Sequence, residues 1–451
     1  MKKLRGRTWF VLLFILLLTA GMCILVGMYI VQGSDWASFS ANSHLYTNGR
    51  IATGTITDRN GLLLFDGETG AYAEDAAIRE ATLHAVGDGY GNIVSGAKVL
   101  FSQYMAAYNP ITGVGSQGNR VTLTIDAGLN RTAYEALDGR HGTVAVYNYK
   151  TGEVLCMVSS PAFDPEDSAA VLEAVNQGDP RYDTVYLNRF LSSSFTPGSI
   201  FKIVTAAAAI DRLNALEDFS YSCSGTLEVG GDTVTCPSAH GEQDLAQALA
   251  NSCNGAFAQL AIQLGGEVLQ QYTQAAGLLD PVEVNGLSSA KGSFTPAEDT
   301  AYLGWSGVGQ YTNLVNPCSE LVLMGCIAGE GEAKNPTLLK SVTSSLGLPA
   351  SFVSTSDASI GWSGETCRQL KALMRNNVIS HYGQDQFGDL PVCAKSGTAE
   401  VGTDRPHAWF VGFVDDPDAP YAFVVLVENG GSGSQVAGSI AATVLNQLSG
   451  S

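Results

Sequence analysis

Residues 195–213 read FTPGSIFKIVTAAAAIDRL. Pro197 and Gly198 break the incoming chain, and the unbroken apolar run behind them predicts a helix over 199–213. Ser199 then stands at a helix N-terminus, where backbone N–H groups and the dipole favour a developing oxyanion. Lys202 follows three positions later on the same helical face. It sits among Ile, Phe, Val and Ala. Burial lowers a lysine pKa, and a neutral lysine can take a hydroxyl proton and make the serine a nucleophile. The blander reading of Ser199 is a plain helix cap.

Ser-x-x-Lys also occurs at Ser95–Lys98 and Ser288–Lys291, so the bare pattern is weak. Ser95 has a glycine inside its motif and no helix start. Gly292 follows Lys291 at once. Two further stretches carry polar groups suited to acyl chemistry. In QALANSCNGAFAQLA, Ser252-Cys253-Asn254 interrupts a helical pattern. It offers a second hydroxyl and an amide, or merely a polar helix junction. In PVCAKSGTAEV, Lys395-Ser396-Gly397-Thr398 lies within strand-like residues. A cation, two hydroxyls and a glycine there suit a carboxylate and an extended peptide, or an ordinary polar strand end. A literal Lys-Thr-Gly stands elsewhere, at 150–152 in VAVYNYKTGEVLCMVSSP. It is centred between two alternating runs, which predicts a hairpin turn.

The 451 residues carry a formal charge of −19 and are 45% hydrophobic, enough for a sizeable core and two or three domains. Basic residues cluster at the extreme N-terminus alone, which argues against a nucleic-acid partner. There Lys2, Lys3, Arg5 and Arg7 precede a run from Thr8 to Val31 without a charge. Such a run spans a bilayer, and the positive-inside rule puts residues 1–7 in the cytoplasm and everything after about residue 32 outside. Residues 33–119 predict a small pedestal with a hairpin at Asp58-Arg59-Asn60-Gly61 and a helix near 74–86. The turn-rich segment 109–120 marks its end. From Val121 the pattern becomes a strand, a helix capped by Asp126, a hairpin, helices at 243–264, 317–328 and 363–378, two closing strands and a terminal helix. Strands at both ends with helices between them predict one unit around an antiparallel sheet. Nine cysteines are present. Cys223 and Cys236 flank a second hairpin and could pair outside the membrane, or stay as buried thiols.

Ser199-x-x-Lys202, Ser252-x-Asn254 and Lys395-Ser396-Gly397 occur in the order used by the penicillin-binding protein and serine β-lactamase superfamily. RIATGTITDRNG, GNRVTLTID, GEVLCMVSSPAFDP, GVGQ and HAWFVGF extend the match over nearly all of the exported chain. The sequence thus resembles class B penicillin-binding proteins, the membrane-anchored D,D-transpeptidases of cell-wall synthesis. The resemblance implies an α+β fold (an α/β/α sandwich) with an antiparallel five-stranded sheet, flanking helices and an all-helical subdomain. It implies a cytoplasmic tail at 1–7, a transmembrane helix at 8–31, a pedestal at 33–119 and a transpeptidase domain at 120–451. Residue by residue, Ser199 is the implied nucleophile, Lys202 its base and Ser252 the proton relay beside Lys395. Asn254, Ser396, Gly397 and Thr398 bind substrate, and the backbone N–H groups of Ser199 and Thr398 form the oxyanion hole. No metal or cofactor is implied. The implied ligands and partners are peptidoglycan stem peptides ending in D-Ala-D-Ala, β-lactams, the membrane through one helix, and a membrane-embedded glycan polymerase. Ser396 stands where threonine is commoner, and a hydroxyl is kept.

Rival readings remain. A β-lactamase needs a carboxylate motif after Ser-x-Asn, but Glu173 and Asn176 precede the nucleophile. A D,D-carboxypeptidase would pass the same acyl group to water. A non-enzymatic β-lactam sensor would carry a cytoplasmic or multi-span signalling part, whereas seven residues precede the membrane helix; a scaffold would have lost a catalytic residue, and none is missing. Lys150-Thr151-Gly152 precedes the nucleophile, against the superfamily order, and Glu153 would face the substrate carboxylate.

Overall fold

The structure, a computed structural model, describes residues 2–38, 54–105, 108–109, 113–114, 118–213, 216–297, 299–344, 347–351 and 353–449. The chain opens with α1 (Lys2–Ser38), then β1 (Thr55–Thr57), β2 (Leu63–Asp66), β3 (Arg120–Leu123), α2 (Ala127–Leu137) and the hairpin β4 (Gly142–Asn148) and β5 (Val154–Ser160). Next come α3 (Lys202–Arg212), β6 (Tyr221–Cys223), β7 (Thr226–Val229), β8 (Asp232–Thr235), β9 (Gly241–Gln243), α4 (Leu245–Ala250), α5 (Asn254–Leu264) and α6 (Pro317–Ala328). The chain closes with β10 (Leu339–Thr343), β11 (Pro349–Ser351), α7 (Gly364–Asn377), β12 (Val392–Val401), β13 (Asp404–Val414), β14 (Tyr421–Val427) and α8 (Gly438–Ser449).

The main sheet has five antiparallel strands in the order β12-β13-β14-β4-β5. Its strands read as near-continuous apolar runs because both faces are covered. Successive side chains point to opposite faces. Val144, Val146, Phe423, Val425 and Phe410 pack with Leu129 and Ala133 of α2 and Leu445 of α8. Their neighbours Ala145, Tyr147, Val424, Leu426 and Trp409 join the other core, with Val204 of α3, Phe257 of α5 and Leu321 of α6. One alternating pattern therefore fills two cores and yields a helix–sheet–helix sandwich. Local signals start its helices: Asp126 caps α2 by accepting from Leu129 N, and Asn316 caps α6 by accepting from Cys318 N.

A second sheet, ordered β11-β10-β3-β1-β2, joins segments far apart in the chain. Gly61 closes the β1–β2 turn with φ 91°, as Asn-Gly predicts. The expected division at residue 120 falls on the first residue of β3, which pairs in parallel with β1. Most of the 109–119 loop lies outside the described residues. Within α1, Arg7–Tyr29 has a mean hydropathy of 2.8, and its apolar side chains face outward. That is the length and surface of a membrane-crossing helix.

The hairpin predicted between Cys223 and Cys236 is β7–β8, turned at Gly230 and Gly231. The disulfide weighed for it is not formed: all nine cysteines are free thiols. Cys236 Sγ lies instead 3.7 Å from Cys253 Sγ, at the start of α5. The hairpin's ends are held by other pairings, for β6 leaves to pair with β9.

Candidate active site

Ser199 lies in a single 3-10 turn (Gly198–Phe201) that runs directly into α3. The turn needs glycine before the serine. Gly198 has φ +55°, and a Cβ there would sit 2.7 Å from Thr398 O of β12. Gly397 closes the approach from the other side, since its Cβ would meet Pro197 O at 2.8 Å. Trp409 Nε1 donates to Thr196 O at 2.9 Å and ties the same turn to β13. The motifs FTPGS, KSGT and HAWF thus encode one junction between turn and sheet edge.

Ser252 is placed by the way α4 ends. Ser252 N donates to Leu249 O (3.2 Å), and Cys253 N donates to Ala248 O (2.9 Å). These two bonds make a Schellman motif, whose left-handed residue is usually glycine. Here it is serine, at φ 54°. A serine in that conformation costs on the order of 1 kcal/mol. In return its hydroxyl is held rigidly between two lysines. Asn254 then opens α5, and its Nδ2 donates to Thr235 O at 2.7 Å.

Both lysines are fully buried. Lys202 Nζ lies 3.0 Å from Ser199 Oγ, 3.1 Å from Ser252 Oγ, 2.6 Å from Ser252 O and 2.8 Å from Asn254 Oδ1. An ammonium has three hydrogens and no lone pair. A neutral amine has two hydrogens and one lone pair, so it can accept from one of the neighbouring hydroxyls while donating to the carbonyl oxygens. Burial pushes the Lys202 pKa down to about 7. Lys395 Nζ lies 3.1 Å from Ser252 Oγ and 2.8 Å from Ser396 O. Its pKa is also held well below the usual lysine range, first by burial and then by the charge of Lys202. Ser252 Oγ is therefore within hydrogen-bond reach of both amines.

Ser199, Ser252, Asn254, Ser396 and Thr398 line one cleft of about 360 Å³, which Trp305, Gln310 and Glu400 also border. Lys202 and Lys395 form its floor through the bonds just given. Gly397 supplies the close backbone approach. All eight residues singled out in the sequence thus come together. The other Ser-x-x-Lys matches do not. Ser95 accepts from Asn188 Nδ2 (3.0 Å) while Lys98 donates to the Tyr72 hydroxyl (2.6 Å), and Ser288 bonds Glu283. One contributor was missed. The Tyr382 hydroxyl accepts from Ser396 N (2.9 Å) and lies 3.0 Å from Ser396 Oγ. Tyr382 ends a π-helical turn that continues α7, a local irregularity frequent at functional sites. No short motif announces it.

Residues 142–448 match the family described as the penicillin binding protein transpeptidase domain. The chain belongs to that family. Among its relatives is the peptidoglycan D,D-transpeptidase PbpA of Mycolicibacterium smegmatis, 30% identical over 367 residues, covering 76% of this chain and 74% of that protein. Among solved structures, the D,D-transpeptidase domain of a peptidoglycan glycosyltransferase from Eggerthella lenta is 27% identical with a TM-score of 0.76. That match covers 88% of this chain and 98% of that one. Penicillin-binding protein A from M. tuberculosis as its penicillin G acyl-enzyme complex is 25% identical, with a TM-score of 0.76. It covers 88% of this chain and 99% of that one. The penicillin-binding transpeptidase fold expected from the sequence is therefore the fold of this chain.

Proposed function

We propose that the protein is a membrane-anchored peptidoglycan D,D-transpeptidase that also reacts with penicillins, with Ser199 as its acyl-accepting nucleophile. The observation that carries the reading is the placement of one buried amine, Lys202 Nζ, against Ser199 Oγ, Ser252 Oγ and Asn254 Oδ1 together. In its neutral form Lys202 takes the Ser199 proton as Oγ attacks the carbonyl of the penultimate D-alanine. The carbonyl oxygen becomes an anion facing the backbone N–H groups of Ser199 and Thr398. As the C–N bond breaks, the departing D-alanine nitrogen takes the Ser252 hydroxyl proton. Lys202 returns a proton to Ser252, so the amines end as they began. Lys395 lowers the cost of negative charge at Ser252 and draws in the substrate carboxylate. Ser396, Gly397 and Thr398 cradle that carboxylate, while Asn254 holds the peptide amide. An acceptor amine then attacks the Ser199 ester, the same groups move its proton, and the cross-link forms. With a penicillin the ring amide opens at the same ester-forming step.

The anchor helix sets the rest of the reading. Residues 1–7 lie in the cytoplasm, residues 8–31 cross the membrane, residues 33–119 form a pedestal and residues 120–451 carry the transpeptidase outside. The helix is also the docking element for a membrane-embedded glycan polymerase. Fluorescent penicillin tests the nucleophile: wild-type protein takes up label and Ser199→Ala takes up none. Labelling of Ser199→Ala at the wild-type rate would remove Ser199 from the mechanism. A donor pentapeptide supplied with an acceptor amine tests transfer. The expected result is a cross-linked product, and free D-alanine without one would make the enzyme a carboxypeptidase.

A further inference from the structure

Four side chains beside the cleft are unused by this chemistry. Cys223, Cys236, His240 and Cys253 bring one ligand atom each to within 4.8 Å of one another. They come from four different places: the end of β6, the residue after β8, the residue before β9 and the N-cap of α5. The spacing is Cys-x12-Cys-x3-His-x12-Cys. Cys223 and Cys253 are buried, and Cys236 and His240 are half-buried. His240 Nδ1 is itself buried and has no hydrogen-bond partner. An orphaned buried ring nitrogen beside three sulfurs needs an explanation.

The distances favour a cation over a disulfide. A disulfide holds its sulfurs at about 2.0 Å. Zinc–sulfur bonds of about 2.3 Å set the edge of a tetrahedron at about 3.8 Å. The Cys236–Cys253 separation is 3.7 Å. The sulfurs also have the outer contacts of thiolate ligands: Gly255 N lies 3.3 Å from Cys236 Sγ, and Ala256 N 3.5 Å from Cys253 Sγ. We infer that Cys223, Cys236, His240 and Cys253 form a tetrahedral site for a soft divalent cation of the zinc class, which clamps the Ser252–Asn254 segment. Three thiolates and an imidazole make a closed structural set, with no open position for a substrate. The clamp is direct, because Cys253 lies between Ser252 and Asn254, and Asn254 Nδ2 bonds Thr235 O next to Cys236. Metal binding there locks the hairpin β7–β8 to the turn that presents both catalytic side chains. The family resemblance implied no metal; the site is read from the cysteines and histidine of this chain.

The test uses the full chain in detergent, purified with a thiol reductant and no chelator, then dialysed against dilute Zn²⁺. About one zinc per chain is expected by mass spectrometry. Co²⁺ in its place is expected to give a thiolate-to-cobalt charge-transfer band and the strong visible bands of tetrahedral cobalt. Cys223→Ser and His240→Ala each weaken zinc binding by at least about tenfold, while Cys23→Ser in the anchor helix keeps it. Since a variant can lose metal by misfolding, the cobalt spectrum of wild-type protein decides independently. Less than about a tenth of an equivalent of zinc, or cobalt bound without the charge-transfer band, overturns the site. So does a Cys236–Cys253 disulfide in protein whose thiols were blocked at lysis. The clamp rests on the proposed reaction and has its own readout: chelation slows penicillin acylation about tenfold or more, and zinc restores it. Acylation indifferent to zinc removes the clamp. A chain that holds zinc but never labels fails the transpeptidase reading and leaves the metal site standing.

Discussion

Lys150 and Lys395 each open a Lys-hydroxyl-Gly triplet at opposite edges of the same sheet, yet their surroundings share almost nothing. Lys150 sits in the β4–β5 turn, exposed, with its amine 3.0 Å from Pro417 O. Asn148 Oδ1 accepts from Lys150 N and Thr151 N, and Gly152 closes the turn at φ 82°. Each of those features is what a hairpin turn requires. Lys395 is fully buried, touches Ser252 Oγ and repels Lys202. The motif's letters are common to both regions, and only burial against other reacting groups separates chemistry from turn geometry.

The hardest blow to that contrast is a paired substitution. Lys395→Ala should slow penicillin acylation by about 10²–10⁴-fold, the range for removing a proton-transfer or charge-stabilising group. Lys150→Ala should change it less than about twofold, since an exposed turn residue touches nothing in the cleft. Acylation rates with fluorescent penicillin check both. The reverse pattern would exchange the two assignments.

Ser252→Gly probes the same floor more gently. Glycine is the residue the α4 terminus prefers, so the turn is kept and its strain of about 1 kcal/mol is relieved. The hydroxyl between the lysines is lost. Acylation should fall by about a hundredfold while the melting temperature does not drop. A drop in both would mean that Ser252 holds the structure rather than relaying a proton.

The pH profile ranks third. Only neutral Lys202 can accept the Ser199 proton, and burial pushes its pKa down to about 7. Below that value the amine is protonated and the rate should fall about tenfold per pH unit; above it the rate should level off. Burial first, and then the charge of Lys202, disfavours a proton on Lys395 as well. An acylation rate flat from about pH 5 to pH 8 would exclude Lys202 as the base.

These contrasts mark what the sequence could tell. The main sheet was legible because its strands alternate toward two cores and its helices carry Asp126 and Asn316 as caps. Ser199 and Lys202 were legible because one helical turn relates them. The second sheet was not, since β10 joins β3 across some two hundred residues and nothing local signals the pairing. Tyr382 was not, because its role depends on a π-helical turn ending at the right depth beside β12. The cysteines misled for a related reason. Cys223 and Cys236 are close in sequence, but Cys253 is brought in by the turn after α4, and spacing cannot show which of three sulfurs will be neighbours.

The smallest expected effect tests whether the Lys150 turn matters to stability instead. Its next residue, Glu153, pairs with Arg59 at 3.2 Å and so ties β5 to the β1–β2 turn. Both side chains are about a quarter exposed, so water screens the pair. Arg59 also donates to Thr124 O at 3.3 Å, which would survive loss of the carboxylate. Glu153→Gln should therefore cost about 0.5–1 kcal/mol of stability, read as a small shift in a denaturant midpoint, with penicillin acylation unchanged. A carboxylate at this position repels a substrate carboxylate if the turn is a binding site and steadies two sheets if it is not. Faster acylation by Glu153→Gln would favour the first, and a modest loss of stability alone the second.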